Sequence, residues 1–350
     1  MKSKVKVFFI QIIIFLVLGE IGSRLVLTSP QAVQHLHFNT TEIDEALGWK
    51  TKSHHHFVDT VADGGGTPYV IDYRTVENGF RFYENIAFDT LYYKILFIGD
   101  SYTQAVEVSN DKTYYSLLGR DKDLPVTTIF AYGASGYSTF QEYLVFEKYV
   151  EAIQPDLVVW QFCSNDFIDN FYKVEMEADY KIGVRRPYLT LDDEIKYQTP
   201  IPAIMEWGKY SRLAFALYIL KEKFKAKFNA DNRSAELKIA KDHLQYDHYR
   251  TSNQITDKIL KKIKSKLPVH TQLLFFSADA YDPQMSDFAK LCKDNDIEVE
   301  LGTAHLLNQA NFGKKEMIFA YDNYHWNERG HEVVATALKD KIRTMLLRSK

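Results

Sequence analysis

The stretch KILFIGDS, Lys94–Ser101, joins a continuous apolar run to a Gly-Asp-Ser turn. An uninterrupted apolar run of this length is typical of a strand buried on both faces of a parallel sheet. Four similar runs follow along the chain: Val126–Ala131, Asp156–Phe162, Gln272–Ser277 and, more weakly, Ile297–Leu301. Helical spacing is clearest over Thr139–Ile153 and His331–Leu347. This alternation predicts an α/β fold, a three-layer α/β/α arrangement around a doubly wound parallel sheet.

The chain divides into three parts around this predicted sheet. Residues 1–29 form a candidate membrane anchor or signal segment. Residues 30–90 contain few periodic runs, and we expect them to wrap on the core as an extension. Residues 91–350 form the α/β domain, interrupted by an insertion over about residues 170–268.

The insertion lies between the third and fourth predicted strands. Arg186–Gln198 resembles a hairpin that turns at Asp192-Asp193, and helical spacing follows over Arg212–Phe228 and Ala235–Lys264. A segment that leaves the carboxyl end of a strand is placed to cover a site there. We therefore expect the insertion to act as a lid.

Composition excludes several classes of protein. Hydrophobic residues at 46% and charged residues at 25% are near globular averages, which argues against a disordered chain and a polytopic membrane protein. The net charge of -3 gives no basic field for nucleic acid. Cys163 and Cys292 lack the spacing of a metal or redox site and cannot form a disulfide framework. We assign the adjacent His54–His56 to a surface loop, because neighbouring side chains diverge and no fourth metal ligand is in view.

The amino terminus has the pattern of a membrane segment. Three lysines at positions 2, 4 and 6 precede the apolar run Val7–Gly19, and apolar residues resume over Ile21–Leu27. Since no small-x-small cleavage site follows, we favour a retained anchor over a cleaved signal peptide. The lysines then stay in the cytoplasm and the remainder is exported. In a Gram-negative cell it would enter the periplasm, and cleavage would make the protein secreted.

Polar residues follow the first three strands where ligands bind in parallel sheets. Ser101 follows the first strand, Gly136 the second and Asn165 the third. A serine at a helix start can attack an acyl carbon while its own N–H faces the developing oxyanion. Gly136 can add an unobstructed backbone N–H, and Asn165 a side-chain amide. Each residue alone is more often part of a turn or helix cap, but together they indicate an oxyanion hole.

A hydroxyl nucleophile also needs a base and a group that orients the base. Asp322 and His325 are three residues apart, so one loop or helical turn can deliver both. The carboxylate would fix the imidazole tautomer and stabilise the imidazolium. His331 lacks a carboxylate three residues before it, and we assign it a structural role. We interpret Cys163 as a buried, inert residue.

The segments that contain these residues resemble those of the SGNH/GDSL hydrolases. The blocks FIGDSYTQA, AYGASGYSTFQ, WQFCSNDF and YDNYHWNERGH occur in the order of that family's four signature blocks. The resemblance implies a flavodoxin-like fold, with catalytic Ser101, Asp322 and His325. It implies an oxyanion hole of Ser101, Gly136 and Asn165. Gly136 is preferred to Gly133 because the family's glycine is typically followed, one residue on, by Ser or Thr.

The resemblance covers about residues 78–172 and 270–345, with two departures from the usual blocks. Cys163 stands where the third block usually has glycine, and Ala131 where the second usually begins with Asn. Both changes affect the expected shape of the oxyanion hole. The segment Glu77–Arg81 also looks like one that is common in anchored members.

The resulting hypothesis is an exported ester hydrolase that works through an acyl-enzyme, with no metal or organic cofactor. Its substrate would be a small-molecule or glycan ester, and among these we favour an acylated carbohydrate of the cell envelope, since aromatic faces pack on sugar rings. An O-acyltransferase with the same triad and a catalytically silent glycan-binding module remain alternatives. The sequence predicts no oligomeric state.

Overall fold

A computed structural model describes residues 2–26, 39–63, 66–81, 92–200, 210–228, 233–313 and 317–348. Its strands are, in chain order, β1 Thr41–Asp44, β2 Gly48–Thr51, β3 His56–Ala62, β4 Pro68–Arg74, β5 Tyr93–Gly99, β6 Thr127–Gly133, β7 Leu157–Phe162, β8 Arg186–Leu189, β9 Ile195–Gln198, β10 Gln272–Ser277 and β11 Glu298–Glu300. Its α-helices are α1 Lys2–Val26, α2 Ser101–Gln104, α3 Tyr114–Gly119, α4 Thr139–Ile153, α5 Asp166–Asp169, α6 Tyr172–Glu175, α7 Arg212–Phe228, α8 Ala235–Asp242, α9 Asp247–Lys266, α10 Gln284–Asp294, α11 Gly302–Asn308 and α12 Glu328–Arg348.

Five parallel strands form the central sheet in the order β11-β10-β7-β5-β6. β5 is the first strand of this sheet along the chain and lies inside it, so the later strands add on both sides of β5. Each face of the sheet carries its own apolar core, one packed against α4, α9 and α10 and the other against α3 and α12. This confirms the predicted three-layer, doubly wound α/β fold.

The predicted strands and helices agree with the structure to within a few residues. The exception is Ala235–Lys264, predicted as one helix, which the structure divides into α8 and α9. His243 interrupts the helix with a φ of 48°, a left-handed conformation that cannot continue a right-handed helix. The turn lets the His243 imidazole reach Asp287 of α10, 2.8 Å away.

The extension contains more regular structure than expected. β1 pairs with β2 and β3 with β4, each antiparallel, and none of these strands was predicted from the sequence. β3 is rich in β-branched and aromatic residues, a composition that favours strands, and His56 of the predicted surface loop belongs to this strand. Residues 30–38, 64–65 and 82–90 of the extension lie outside the described residues.

The extension packs on the core through β2. Trp49 is fully buried there and its indole N–H donates to the Ser135 carbonyl, 3.0 Å away. The Thr51 hydroxyl donates to the Gly133 carbonyl at 2.9 Å. Both acceptors lie in or just after the end of β6. The extension therefore supports the loop that follows β6, while the proposed boundary near residue 90 stays a prediction.

The N-terminal helix α1 contacts the insertion. Residues Lys6–Val26 form the one helix in the described part of the chain that is long and apolar enough to cross a membrane. Near its end, the Glu20 carboxylate accepts hydrogen bonds from the Arg212 and Leu213 N–H groups, both at 3.0 Å. These groups begin α7, whose first N–H groups have no acceptor within the helix. Residues 27–29 lie outside the described residues.

The insertion contains the predicted hairpin. β8 pairs antiparallel with β9, and the turn between them includes Asp193 with a φ of 63°. β8 is fully buried, whereas β9 is largely exposed. α9 contributes Ile255, Ile259 and Ile263 to the apolar core. Residues 201–209 and 229–232 of the insertion lie outside the described residues.

Candidate active site

The loops that carry the predicted site residues begin at the same edge of the sheet. In the strand register Gly99 of β5 lies opposite Gly133 of β6, and Ile98 lies opposite Trp160 of β7. The chain leaves these neighbouring strands into the segments that contain Ser101, Gly136 and Asn165. Parallel pairing therefore brings three distant sequence blocks to one place.

Ser101, His325 and Asp322 form a continuous hydrogen-bonded series. Ser101 Oγ lies 2.8 Å from His325 Nε2, although the two residues are 224 positions apart. His325 Nδ1 is hydrogen-bonded to Asp322 Oδ2. The other Asp322 oxygen accepts from the Tyr324 and His325 N–H groups at 3.0 and 3.1 Å. A carboxylate held in this way fixes the imidazole with its Nε2 atom directed at the serine hydroxyl.

Aromatic packing holds the imidazole in place. The Tyr102 ring lies 5.2 Å from the His325 ring and 4.5 Å from the Trp326 ring, centroid to centroid. Tyr102 and Trp326 are buried. Since Tyr102 is next to the serine and Trp326 next to the histidine, their contact joins the two catalytic segments.

Gly136 occupies a position that a larger residue would not tolerate. Its φ is +70°, in the left-handed region that residues with a Cβ rarely adopt. A Cβ built there would lie 1.8 Å from Ile182 Cδ1. Gly136 is thus required by the backbone conformation, and its carbonyl accepts a hydrogen bond from Arg186.

The Asn165 side chain is oriented by a buried carboxylate. Asn165 Nδ2 donates to Asp169 Oδ2, 2.8 Å away, one turn further along the chain. A primary amide has two N–H groups, so the second can donate to a ligand. The hydrogen bond to Asp169 therefore fixes the orientation of the amide, so that its NH₂ group and not its carbonyl oxygen faces Asp169.

Arg186 of β8 connects these two loops. Its fully buried guanidinium lies 3.2 Å from Asp169 and 3.0 Å from Glu175, and it also donates to the Gly136 carbonyl. Arg186 thus contacts the residue that orients Asn165 and the backbone of Gly136 itself. Burial raises the pKa of Glu175 to about 7, while the adjacent Arg186 opposes that rise.

The GDSL-like lipase/acylhydrolase family matches residues 95–338, well over half of the chain. The chain belongs to this family. It is therefore an ester-hydrolysing enzyme by family, and the matched region begins in β5 and ends in α12.

Solved structures of a lipolytic G-D-S-L protein and of two esterases resemble the chain at low identity. A member of the lipolytic G-D-S-L family from Veillonella parvula is 11% identical, with 71% of this chain and 96% of that chain covered and a TM-score of 0.39. A catalytic mutant of Axe2, an acetylxylan esterase from Geobacillus stearothermophilus, is 14% identical, with 71% and 94% covered and a TM-score of 0.39. The psychrotrophic esterase EstA from Pseudoalteromonas sp. is 12% identical, with 73% and 98% covered and a TM-score of 0.40. No curated protein matches the chain.

Two further residues of this GDSL-family enzyme with potentially reactive side chains, His331 and Cys163, have structural contacts instead. His331 is fully buried, stacks on Tyr114 and accepts from the Tyr114 N–H at 3.2 Å. Burial lowers its pKa to about 3, so it stays neutral. Burial likewise raises the pKa of Cys163 well above its usual value, and its thiol donates to Asp279 at 3.1 Å. Both placements agree with the structural roles expected from the sequence, and both cysteines are free.

The histidine cluster of the extension does not form a metal site in the described part of the chain. His54 lies in a turn with a φ of 49°, while His56 Nε2 lies 3.0 Å from Asp72 of β4. The one group of metal-type ligands among the described residues is Glu107, Asp322 and His325. This group includes the Asp322 and His325 side chains of the hydrogen-bonded series that ends at Ser101.

The sequence did not reveal Glu107, Asp169 or Arg186. Glu107 is buried in the loop after α2, 3.2 Å from His325 Nδ1. Its signal is a single charge between the apolar residues Val106 and Val108, in a loop that follows the nucleophile. Asp169 and Arg186 gain their roles from contacts between distant segments, and no local pattern marks them.

Proposed function

We propose that the chain is a serine esterase in which Ser101 is the nucleophile, His325 the base and Asp322 the orienting carboxylate. The contact that carries the proposal is the 2.8 Å between Ser101 Oγ and His325 Nε2. This distance is within hydrogen-bond reach, which general-base catalysis requires.

Acylation transfers the acyl group from the substrate alcohol to the enzyme. His325 Nε2 takes the hydroxyl proton as Ser101 Oγ forms a bond to the carbonyl carbon. The tetrahedral intermediate collapses when the carbon–oxygen bond to the alcohol breaks. The imidazolium gives its proton to the leaving alkoxide, and the alcohol departs.

Deacylation repeats these steps with water in place of the hydroxyl. His325 takes a proton from water, whose oxygen attacks the acyl carbon, and the bond to Ser101 Oγ then breaks. Serine regains its proton and a carboxylic acid is released. The charge that develops on the carbonyl oxygen in both halves is stabilised by N–H donors of Ser101, Gly136 and Asn165.

A cavity lined mainly by the extension is considered as a binding site for the substrate alcohol, although none of the proposed catalytic or oxyanion residues lines it. Its volume is about 490 Å³, within the range of small-molecule sites. Val106 and Tyr321 line it, and they are chain neighbours of Glu107 and Asp322. Polar lining residues such as Lys52 and Asp59 stand beside the aromatic rings of Phe57 and Tyr321. Aromatic faces combined with polar groups suit a carbohydrate, so the proposed substrate is an O-acylated glycan of the cell envelope.

The proposal includes retention of α1 as a membrane anchor. Glu20 accepts from the first N–H groups of α7, and Arg24 donates to the Tyr210 carbonyl at 3.0 Å. These polar contacts join α1 to the exported domain and would be lost with a cleaved signal peptide. The catalytic domain then lies on the outer side of the membrane, tethered beside envelope glycans.

Hydrolysis of a simple ester by the full-length protein tests this function. Wild type should hydrolyse p-nitrophenyl acetate, and Ser101→Ala should reduce turnover to the background rate, because it removes the nucleophile. Ser286→Ala is the control, since Ser286 is an exposed serine of α10. Undiminished turnover in Ser101→Ala would reject the assignment. With an oligosaccharide acceptor present, acetate release equal to nitrophenol release indicates hydrolysis, whereas an acetylated oligosaccharide would show transfer.

A further inference from the structure

Glu107 places a second carboxylate against the imidazole of His325. Its Oε1 atom lies 3.2 Å from His325 Nδ1, the same nitrogen that bonds Asp322. One ligand atom from each of the three side chains lies within 4.8 Å of the other two. The Glu107 side chain is 1% exposed, compared with 27% for that of Asp322. The Glu107 carboxylate is thus more shielded from solvent than the Asp322 carboxylate.

The loop that carries Glu107 is fixed from several sides. The buried Arg81 guanidinium donates to the carbonyls of Gln104, Ala105 and Val108. The Tyr69 hydroxyl donates to the Glu107 carbonyl at 3.2 Å. Ala105 has a φ of 51°, so the chain turns sharply just after α2. These contacts hold Glu107 at the histidine independently of any substrate.

The surroundings of Glu107 and His325 raise the pKa of both groups. Burial raises the pKa of Glu107 to about 7; the neighbouring Asp322 adds to that rise, while His325 and Arg81 oppose it. The phenol groups of Tyr69 and Tyr321 also face this carboxylate. For His325, burial lowers the pKa, but Glu107 and Asp322 outweigh burial and raise it to about 9. Asp100 acts in the same direction as the two carboxylates.

We infer that Glu107 is a second positioning carboxylate of the triad, which orients His325 together with Asp322 and sets the acid limb of the pH–rate profile. The inference rests on the proposed role of His325 as base. An ionised Glu107 stabilises the imidazolium, and only neutral imidazole can accept the serine proton. Loss of the Glu107 charge should therefore make His325 a competent base at lower pH.

The titration of His325 tests this role without a substrate. In full-length protein with ¹⁵N-labelled histidine, the His325 signal is assigned by its absence in His325→Gln. Glu107→Gln should lower the pKa of His325 by about one unit, and the acid limb of kcat/KM should move to lower pH by the same amount. Glu142→Gln is the matched control, because Glu142 is equally buried but bonds Trp160. Its His325 titration should equal that of wild type.

Glu107→Asp gives a second comparison that preserves the buried acid. The shorter side chain withdraws the carboxylate from Nδ1, so the His325 titration should fall between those of wild type and Glu107→Gln. Glu107→Asp also provides the test if the Glu107→Gln variant does not fold. A His325 titration that is unchanged in both variants would overturn the inference. Failure of the proposed function is a separate result, because it would appear as full turnover in Ser101→Ala.

The carboxylates of Glu107 and Asp322 should also compensate in part for the loss of each other. Glu107→Gln should increase turnover near neutral pH when Asp322 is present, since more His325 is then neutral. In an Asp322→Asn background the same change should reduce turnover by about tenfold or more, because no carboxylate remains at Nδ1. Equal effects of Glu107→Gln in both backgrounds would contradict the positioning role.

Discussion

At the scale of single residues, the site depends on groups whose partners fix their orientation. His325 is held between Asp322 and the Tyr102 ring, and Asn165 is held by Asp169. Each catalytic group thus has its orientation set before a substrate arrives. Preorganised donors stabilise a developing charge without further reorganisation, which makes them effective in catalysis.

Asn165→Ala should lower kcat by about 100- to 1000-fold, since removal of one oxyanion donor typically has an effect of this size. KM should change less, because the donor acts mainly on the charge that forms in the transition state. Steady-state hydrolysis of p-nitrophenyl acetate gives both constants. Asn308→Ala, at an exposed position of α11, is the control. An unchanged kcat would remove Asn165 from the mechanism.

At the scale of elements, the insertion contributes a buried residue that contacts two segments of the candidate site. The hairpin of β8 and β9 supplies Arg186, whose guanidinium joins the loop after β6 to the helix after β7. β8 is buried and belongs to the packed structure of the domain. The insertion therefore helps to position Gly136 and Asp169, and through Asp169 the Asn165 side chain that we propose as an oxyanion donor.

Arg186→Gln should destabilise the fold by about 3–5 kcal/mol, because it leaves Asp169 and Glu175 buried without their cation. Without Arg186 the folded-state pKa of both carboxyls rises further above the unfolded value. Stability is then lost as pH rises through the interval between the two values. The deficit relative to wild type should thus be larger at about pH 8 than at about pH 5.5.

Urea unfolding of both proteins at the two pH values measures this difference. Arg185→Gln is the matched control: Arg185 is exposed, stacks on Tyr197, and should change stability by no more than about 0.5 kcal/mol. A deficit for Arg186→Gln that is equal at both pH values would show that the two acids do not depend on Arg186.

The sequence predicted those parts of the site that follow directly from strand ends. Ser101, Gly136 and Asn165 each come shortly after a strand that an apolar run had already indicated. The positions of β5, β6 and β7 in one sheet then bring them together. Arg186 and Glu107 could not be predicted in this way, because their contacts cross between segments with no shared local pattern. The four strands of the extension were not predicted, because they are short or their apolar residues do not alternate regularly with polar ones.

At the scale of the whole molecule, the N-terminal helix α1 and the extension both contact the α/β domain. The extension packs Trp49 under the loop after β6, while α1 contacts the start of α7 in the insertion. Both segments thus lie outside the GDSL-like match but contact elements within it.

Retention of α1 should be visible in the intact mass of the protein purified from membranes. We expect a mass that includes Lys2–Val26 and a protein that stays in the membrane pellet after an alkaline carbonate wash, because a spanning helix is not displaced by such washes. Glu20→Ala should remain in the membrane, since the apolar run is unchanged. A soluble protein whose mass begins after the helix would show a cleaved signal peptide instead.

The most direct test of the central claim is covalent trapping of the nucleophile. A fluorophosphonate should add one phosphonyl group to the full-length protein, and peptide mass spectrometry should locate it on Ser101. His325→Gln should react far more slowly, because the hydroxyl then has no base 2.8 Å away. A phosphonyl group on another residue, or equal labelling of wild type and Ser101→Ala, would contradict the account.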